Sequence, residues 1–340
     1  MTKENGILKG ALRKPPVQTA LFFAVMVGLP VLSERGLLPH SFVYALGNTL
    51  IYAIIAIGFC LLLGYAGLAS LGTAGFIGIG AYTAYFVMQQ LELPFIAAFL
   101  ATLLLSILLG VVVGFISLRI EGIYLAIMTL GLSETIRNLL MALKPTIKIE
   151  LEHVRLFGVQ LGDRGSYYLI LIVFSVLMLL TASLIHTPTG RAILAMKNSA
   201  SAAQAMGISL MKYRLLAFVI ATVFAALGGM LYMLHVRTMT TATSTLLTLT
   251  TSLNILGAVI IGGAKSLWGS TFGVFMIYGI QSMFLSKIIF FQKNPAFITM
   301  ITGLLIILVV MFFPGGFAQI AAQLRLWLKG RLLKRKGGGV

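Results

Sequence analysis

The chain is short of almost everything that soluble enzymes use. It has 8 acidic residues against 25 Lys and Arg, 4 histidines and 1 cysteine in 340 residues. The single thiol, Cys60, lies inside an apolar run, so neither a disulfide framework nor a thiolate metal site can be built from it. His40, His153, His186 and His235 have no metal-ligand spacing. There is no G-x-x-x-x-G-K-[ST] phosphate loop, no nucleophile elbow and no paired-carboxylate site, so the sequence offers no chemistry of its own and implies no cofactor. Charged residues make up only 10%, where a soluble domain carries about 25%.

What is present is oil. Hydrophobic residues reach 59% and the mean hydropathy is +1.03, which describes an all-α polytopic membrane protein. The net charge of +17 does not form a stripe interleaved with aromatics, so nucleic acid is not implied. The bases sit at the ends of apolar runs, where the bilayer and the inside-positive bias of loops account for them.

In chain order the apolar runs fall at about 17–32, 42–63, 64–85, 95–118, 122–143, 167–186, 214–236, 246–261, 267–285 and 296–313. That is about ten spans, an even number that leaves both termini in the cytoplasm. Residues 1–16 form a basic N-terminus, 17–316 the membrane domain and 317–340 a basic tail suited to anionic headgroups. Lys144 to Ser166 is then a polar outer loop.

Four features carry chemistry. The first is the polar stretch 187–213, whose bases Arg191, Lys197 and Lys212 have no acidic neighbour and place it in the cytoplasm. A break at Thr187–Gly190 precedes a helix predicted over Arg191–Met206, about four turns, closed by Gly207. On the residues alone this helix lies along the headgroups with its lysines in water. The second is a glycine-rich run containing Gly64, Gly67, Gly72, Gly78 and Gly80. There Ala66, Ser70, Ala74 and Gly78 recur at helical spacing and would let two membrane helices approach closely, or let unwound backbone line a polar path. Gly262 and Gly263 repeat the theme later in the chain. The third is Glu134 and Arg137, three residues apart on one face of a helix and able to pair, placed here in the bundle interior rather than snorkelling at its edge. The fourth comprises Asn48, Ser70 and Asn254, polar residues within or beside apolar runs and candidates for a translocation path or bundle core.

Gly190-Arg191-Ala192, Ala202-Ala203 and Gly207-Ile208, together with Gly64-Tyr65, Ser70-Leu71-Gly72 and Gly78-Ile79-Gly80-Ala81-Tyr82, resemble the branched-chain amino acid (LIV-type) permease subunits of ABC importers. The resemblance implies a transport subunit rather than an enzyme, in a bacterial or archaeal cytoplasmic membrane. It also implies a second homologous permease, two ATPase subunits and a soluble solute-binding protein as partners. Arg191, Ser201, Ala202, Ala203 and Gly207 would then dock the ATPase, with Ser201 standing where the family usually has Glu. Urea or short amides are alternative cargoes. The rival classes are an ion-coupled secondary transporter using Glu134 and Arg137, and a membrane scaffold that transports nothing.

Overall fold

The computed structural model describes residues 15–34, 39–119, 122–150, 155–156, 159–160, 162–241, 244–283, 295–312, 315–317 and 319. The basic N-terminus up to residue 14, most of the tail, and Lys287 and Lys293 lie outside the described residues. Because lipid cannot satisfy backbone N–H and C=O groups, an apolar chain of this kind folds into helices that satisfy their own. Those helices are α1 (Pro15–Glu34), α2 (His40–Phe59), α3 (Thr73–Tyr85), α4 (Phe95–Ser117), α5 (Ile123–Leu143) and α6 (Asp163–His186). They continue with α7 (Pro188–Asn198), α8 (Ala200–Ala205), α9 (Leu210–Val236), α10 (Leu249–Gly262), α11 (Leu267–Val274), α12 (Ile280–Met283) and α13 (Pro295–Phe312).

Four of these are long and apolar enough to cross a bilayer: α2 with its continuation to Tyr65, α4, α6 and α9. Shorter apolar helices run over Gln18–Ser33, Leu249–Gly262 and Phe297–Val309. The Ser41–Tyr65 span is 83% buried and Phe95–Ser117 only 22%, which puts α2 at the centre of the bundle and α4 at its edge. Helix α9 packs on α2, α3 and α4, α5 leans on α3, and α10 pairs with α11.

The crossing of α3 and α9 is made backbone to backbone. A Cβ at Gly80 would lie 1.8 Å from the Ala226 carbonyl oxygen, and one at Gly229 would lie 1.9 Å from that of Ile77. Small residues permit such approach where no hydrophobic effect drives helices together.

The run expected as one span over 64–85 is not one helix. Helix α2 ends in a π-helical turn, Cys60–Tyr65, and residues 66–72 are irregular, with Gly67 at φ +73°. Ala66 and Ser70 therefore lie in a turn, and of the expected small-residue ladder only Ala74 and Gly78 are helical. The span expected over 267–285 is continuously helical through residue 283, as α11, a π-helical segment Phe275–Gly279, and α12. A π turn carries more residues per turn than an α turn and shifts the face that follows.

Short strands tie the other end. β1 (Thr146–Lys148) pairs antiparallel with β4 (Thr238–Thr240), and β2 (Arg155–Leu156) pairs with β3 (Val159–Gln160). The polar loop after α5 is thereby joined to the threonine-rich segment after α9. The Ile149 N–H donates to the Arg237 carbonyl at 2.8 Å, and Arg237 Nη2 meets Asp163 Oδ1 at 2.5 Å.

Candidate functional site

Polar chemistry concentrates at one end of the bundle, where the 187–213 stretch meets the two glycine-rich turns. Thr187 ends α6 and caps α7, its Oγ1 accepting from Gly190 N at 3.4 Å, with Pro188 in the first helical position. The predicted break thus shrinks to one residue, because Pro tolerates the start of a helix, where its missing N–H is not needed. The single helix expected over Arg191–Met206 is two: Ser199 is extended (φ −156°, ψ 108°) and its Oγ accepts from Ala202 N at 3.3 Å, starting α8. A serine that caps a new helix competes with continuing the old one. Gly207 closes α8 at φ +80°, with Ile208 N donating to the Ala203 carbonyl at 3.0 Å, the glycine stop expected from the sequence.

Lys197 fastens this stretch to the bundle core. Its Nζ donates to the Gly64 carbonyl at 2.7 Å and to the Leu63 carbonyl at 3.1 Å. Both belong to the π-helical end of α2, where carbonyls lack helical partners and carry the negative end of the helix dipole. The Gly67 turn lies against the Lys197 stem, a Cβ there falling 3.1 Å from Cγ. Burial, and then the charge of Lys265, push the Lys197 ammonium below the usual lysine range. The second glycine turn arrives from the other side. The Cys60 thiol donates to the Ala264 carbonyl at 3.1 Å and the Tyr65 hydroxyl to the Lys265 carbonyl at 2.9 Å, while a Cβ at Gly64 would sit 1.7 Å from Ala264 O. Gly263 turns at φ +102° and Gly262 packs on Gly269.

The outward face of this assembly is α8. Ser201, Ala202, Gln204 and Ala205 are exposed, as is Arg191, and Met206 is 84% exposed at the tip. Ala203 is turned inward and is only 4% exposed, so it packs the loop onto its own chain rather than presenting a contact. Beside α8 a depression of about 250 Å³ is lined by Gly67, Gly122, Lys197, Asn198, Ser199 and Arg214 among others.

A second polar group lies mid-bundle. The Asn48 Oδ1 is buried without a hydrogen-bond partner among the described residues. One turn on, Tyr52 stacks on Tyr278 with centroids 3.8 Å apart and planes 9° apart. The Tyr278 hydroxyl donates to the Thr251 carbonyl of α10 at 3.5 Å. Asn254 lies three residues beyond Thr251 on α10 and is partly buried. The two tyrosines escaped the sequence reading, although Tyr52 stands at helical spacing from Asn48 and Tyr278 directly precedes Gly279. Ser70 is not with them: it is 4% exposed in the turn and its Oγ accepts from Gly72 N at 3.3 Å.

Glu134 and Arg137 do pair, at 3.2 Å, but on the flank of α5 and not in the bundle interior; their side chains keep 39% and 23% exposure. The reason is that α5 buries Leu125, Ala126, Thr129, Ser133 and Leu140 against α3, and the pair lies beside that face. Gly72 lies against Thr129 of α5, and Gly78 against Leu140 and Leu247. Among the described residues no cluster of His, Cys, Asp or Glu could hold a metal.

Residues 41–310 match the family described as branched-chain amino acid transport system, permease component. Among curated proteins, the chain is similar to the high-affinity branched-chain amino acid transport system permease protein LivM of Salmonella typhimurium, at 28% identity over 94% of this chain and 79% of that one. It is similar to LivM of Escherichia coli K12 at 27% identity with the same coverage. No solved structure matches it significantly.

Proposed function

From the premise that this chain belongs to the branched-chain amino acid transport permease family, we propose that it is the membrane-spanning subunit of an ATP-driven importer of branched-chain or related amino acids. It crosses a bacterial or archaeal cytoplasmic membrane with about ten spans and both termini inside. It works with a second homologous permease, two ATPase subunits and an extracytoplasmic solute-binding protein. The substrate class rests on the relatives' names, both of which specify branched-chain amino acids.

The observation that carries the mechanism is the hold of Lys197 on the last carbonyls of α2. The outer face of α8, with Ala202 and Met206 at its surface, seats on the ATPase. ATP binding draws the two ATPases together and displaces α7 and α8. Lys197 passes that displacement to α2, the most buried of the long spans, on which Asn48 and Tyr52 sit. A ligand able to pair the lone acceptor of Asn48 and to lie against the Tyr52–Tyr278 stack meets both a polar and an apolar surface, as an amino acid with a branched side chain requires. Glu134, Arg137 and the exposed Thr135 and Asn138 give α5 one polar flank, costly against acyl chains, which the second permease covers.

The test is co-purification of the tagged chain in mild detergent, followed by uptake in vesicles loaded with ATP. Recovery of an ATPase, with uptake of leucine that needs ATP and survives an uncoupler, is the expected result. Uptake that ignores ATP and collapses with the uncoupler would establish the ion-coupled alternative. Uptake of urea or a short amide in preference to leucine would keep the mechanism and change the cargo.

A further inference from the structure

The opposite flank of α5 bounds an apolar groove of about 680 Å³ between α3, α4 and α5. Its walls include Leu105, Leu109 and Val113 of α4 and Leu132, Ile136 and Leu139 of α5. Helices α4 and α5 hardly touch one another, so the groove stays open between them. At one end the lining turns polar, with Lys144, Gln90 and Tyr85. Gln90 Nε2 donates to the Tyr85 hydroxyl at 2.7 Å, Lys144 Nζ donates to the same oxygen, and the ammonium lies 4.6 Å from the Tyr85 ring centroid. No lining residue is acidic.

We propose that this groove is a site for an anionic phospholipid, one acyl chain lying between α4 and α5 and the headgroup phosphate resting on Lys144 and Gln90. Three observations converge on it. The volume falls in the range of roughly 300–1,000 Å³ that holds a small-molecule ligand. The mouth carries a cation whose second and third N–H donors, and the second amide proton of Gln90, remain to be matched by a phosphate. Gly122, at the start of α5, lines the depression beside Asn198 and Ser199, so Lys144 at the other end of the helix lies at the opposite face of the bundle, the headgroup level of the outer leaflet. A protein helix from the second permease is a poorer match, because the flank of α5 with polar groups to satisfy is the one that faces away from the groove.

The experiment is native mass spectrometry of the full chain, co-expressed with its partners, after reconstitution in nanodiscs of equal phosphatidylglycerol and phosphatidylcholine. Wild type is expected to retain phosphatidylglycerol in preference. Lys144→Ala should lower that preference about fivefold, the worth of one Lys at an anionic surface, and Leu139→Trp should fill the groove and abolish retention. Leu180→Trp, exposed on α6, which does not line the groove, is the control and retains lipid as wild type does. Undiminished retention by Leu139→Trp, an unchanged preference in Lys144→Ala, or a disulfide from Leu139→Cys to another protein chain would each overturn the proposal.

Discussion

The α3–α9 crossing and the Lys197 junction both hold helices together, and they do it by opposite means. At the crossing, Gly80 and Gly229 let backbone lie on backbone, with no side chain between and no polar group to rearrange. At the junction, an ammonium bridges the frayed end of α2, and serine and threonine hydroxyls cap the helices on either side. Close packing has one solution and fails when it is disturbed. Hydrogen bonds to terminal carbonyls can lengthen, exchange with water and re-form. The bundle thus has a rigid seam in its middle and an adjustable joint at one end, the division of labour that the proposed gating requires.

The sharpest way to break this contrast is to put a side chain into the seam. Gly229→Val or Gly80→Leu places carbon where the Ile77 or Ala226 carbonyl oxygen now lies, so the helices must part. The expected cost is upwards of about 3 kcal/mol, read as loss of folded, detergent-soluble protein. A variant recovered in normal yield with an unchanged melting temperature would show that the crossing is not the seam described.

The joint should behave differently. Lys197→Met removes two hydrogen bonds from a charged donor, each worth about 1.5–3 kcal/mol when buried and toward the low end here, where the residue is only partly buried. If the proposed ATPase coupling holds, we expect folded protein that still co-purifies with that partner and has lost at least about tenfold in ATP-driven uptake, the equivalent of about 1.4 kcal/mol. Lys197→Arg should restore part of it. Equal uptake in Lys197→Met and wild type would sever the joint from the mechanism.

Next in size is the docking face proposed on α8. Ala202→Trp adds bulk to an exposed position of α8, so stability should stay within about 0.5 kcal/mol while ATPase recovery falls. The same change at Ala203, turned into the chain itself, should cost stability as well. If Ala202→Trp holds the ATPase as firmly as wild type, the partner seats elsewhere.

How much of this could be read in the sequence follows the same division. Composition alone gave a helical membrane protein, and the glycine stop at Gly207 and the pairing of Glu134 with Arg137 followed from local rules of spacing. The helix break at Ser199 was missed because serine is tolerated inside a helix and a cap alike, and only its extended backbone decides between them. The orientation of Ala203, the unwinding of 66–72 and the grip of Lys197 on α2 depend on residues more than a hundred positions apart, such as Lys197 and Gly64, which no local pattern connects. The Tyr52–Tyr278 stack belongs to the same class.

The smallest effect is expected at the far end, where charge looks important and is not. Arg237 and Asp163 meet at 2.5 Å, but Asp163 keeps 73% of its side chain exposed. Such a pair is worth about 0.2–1 kcal/mol and weakens with salt. The loop there is held by backbone: β1 pairs with β4 over three residues, Ile149 N donates to the Arg237 carbonyl, and Thr241 N donates to that of Pro145. Asp163→Asn should therefore shift the melting temperature by no more than a degree or two, about what 0.5 kcal/mol moves a domain of this size, and leave uptake unchanged. Pro in place of Thr241 would instead remove the N–H that donates to the Pro145 carbonyl and cost more. A larger loss for Asp163→Asn than for Thr241→Pro would mean that this end, like the Lys197 joint, is held by charge, and the contrast between a rigid seam and a single adjustable joint would fall.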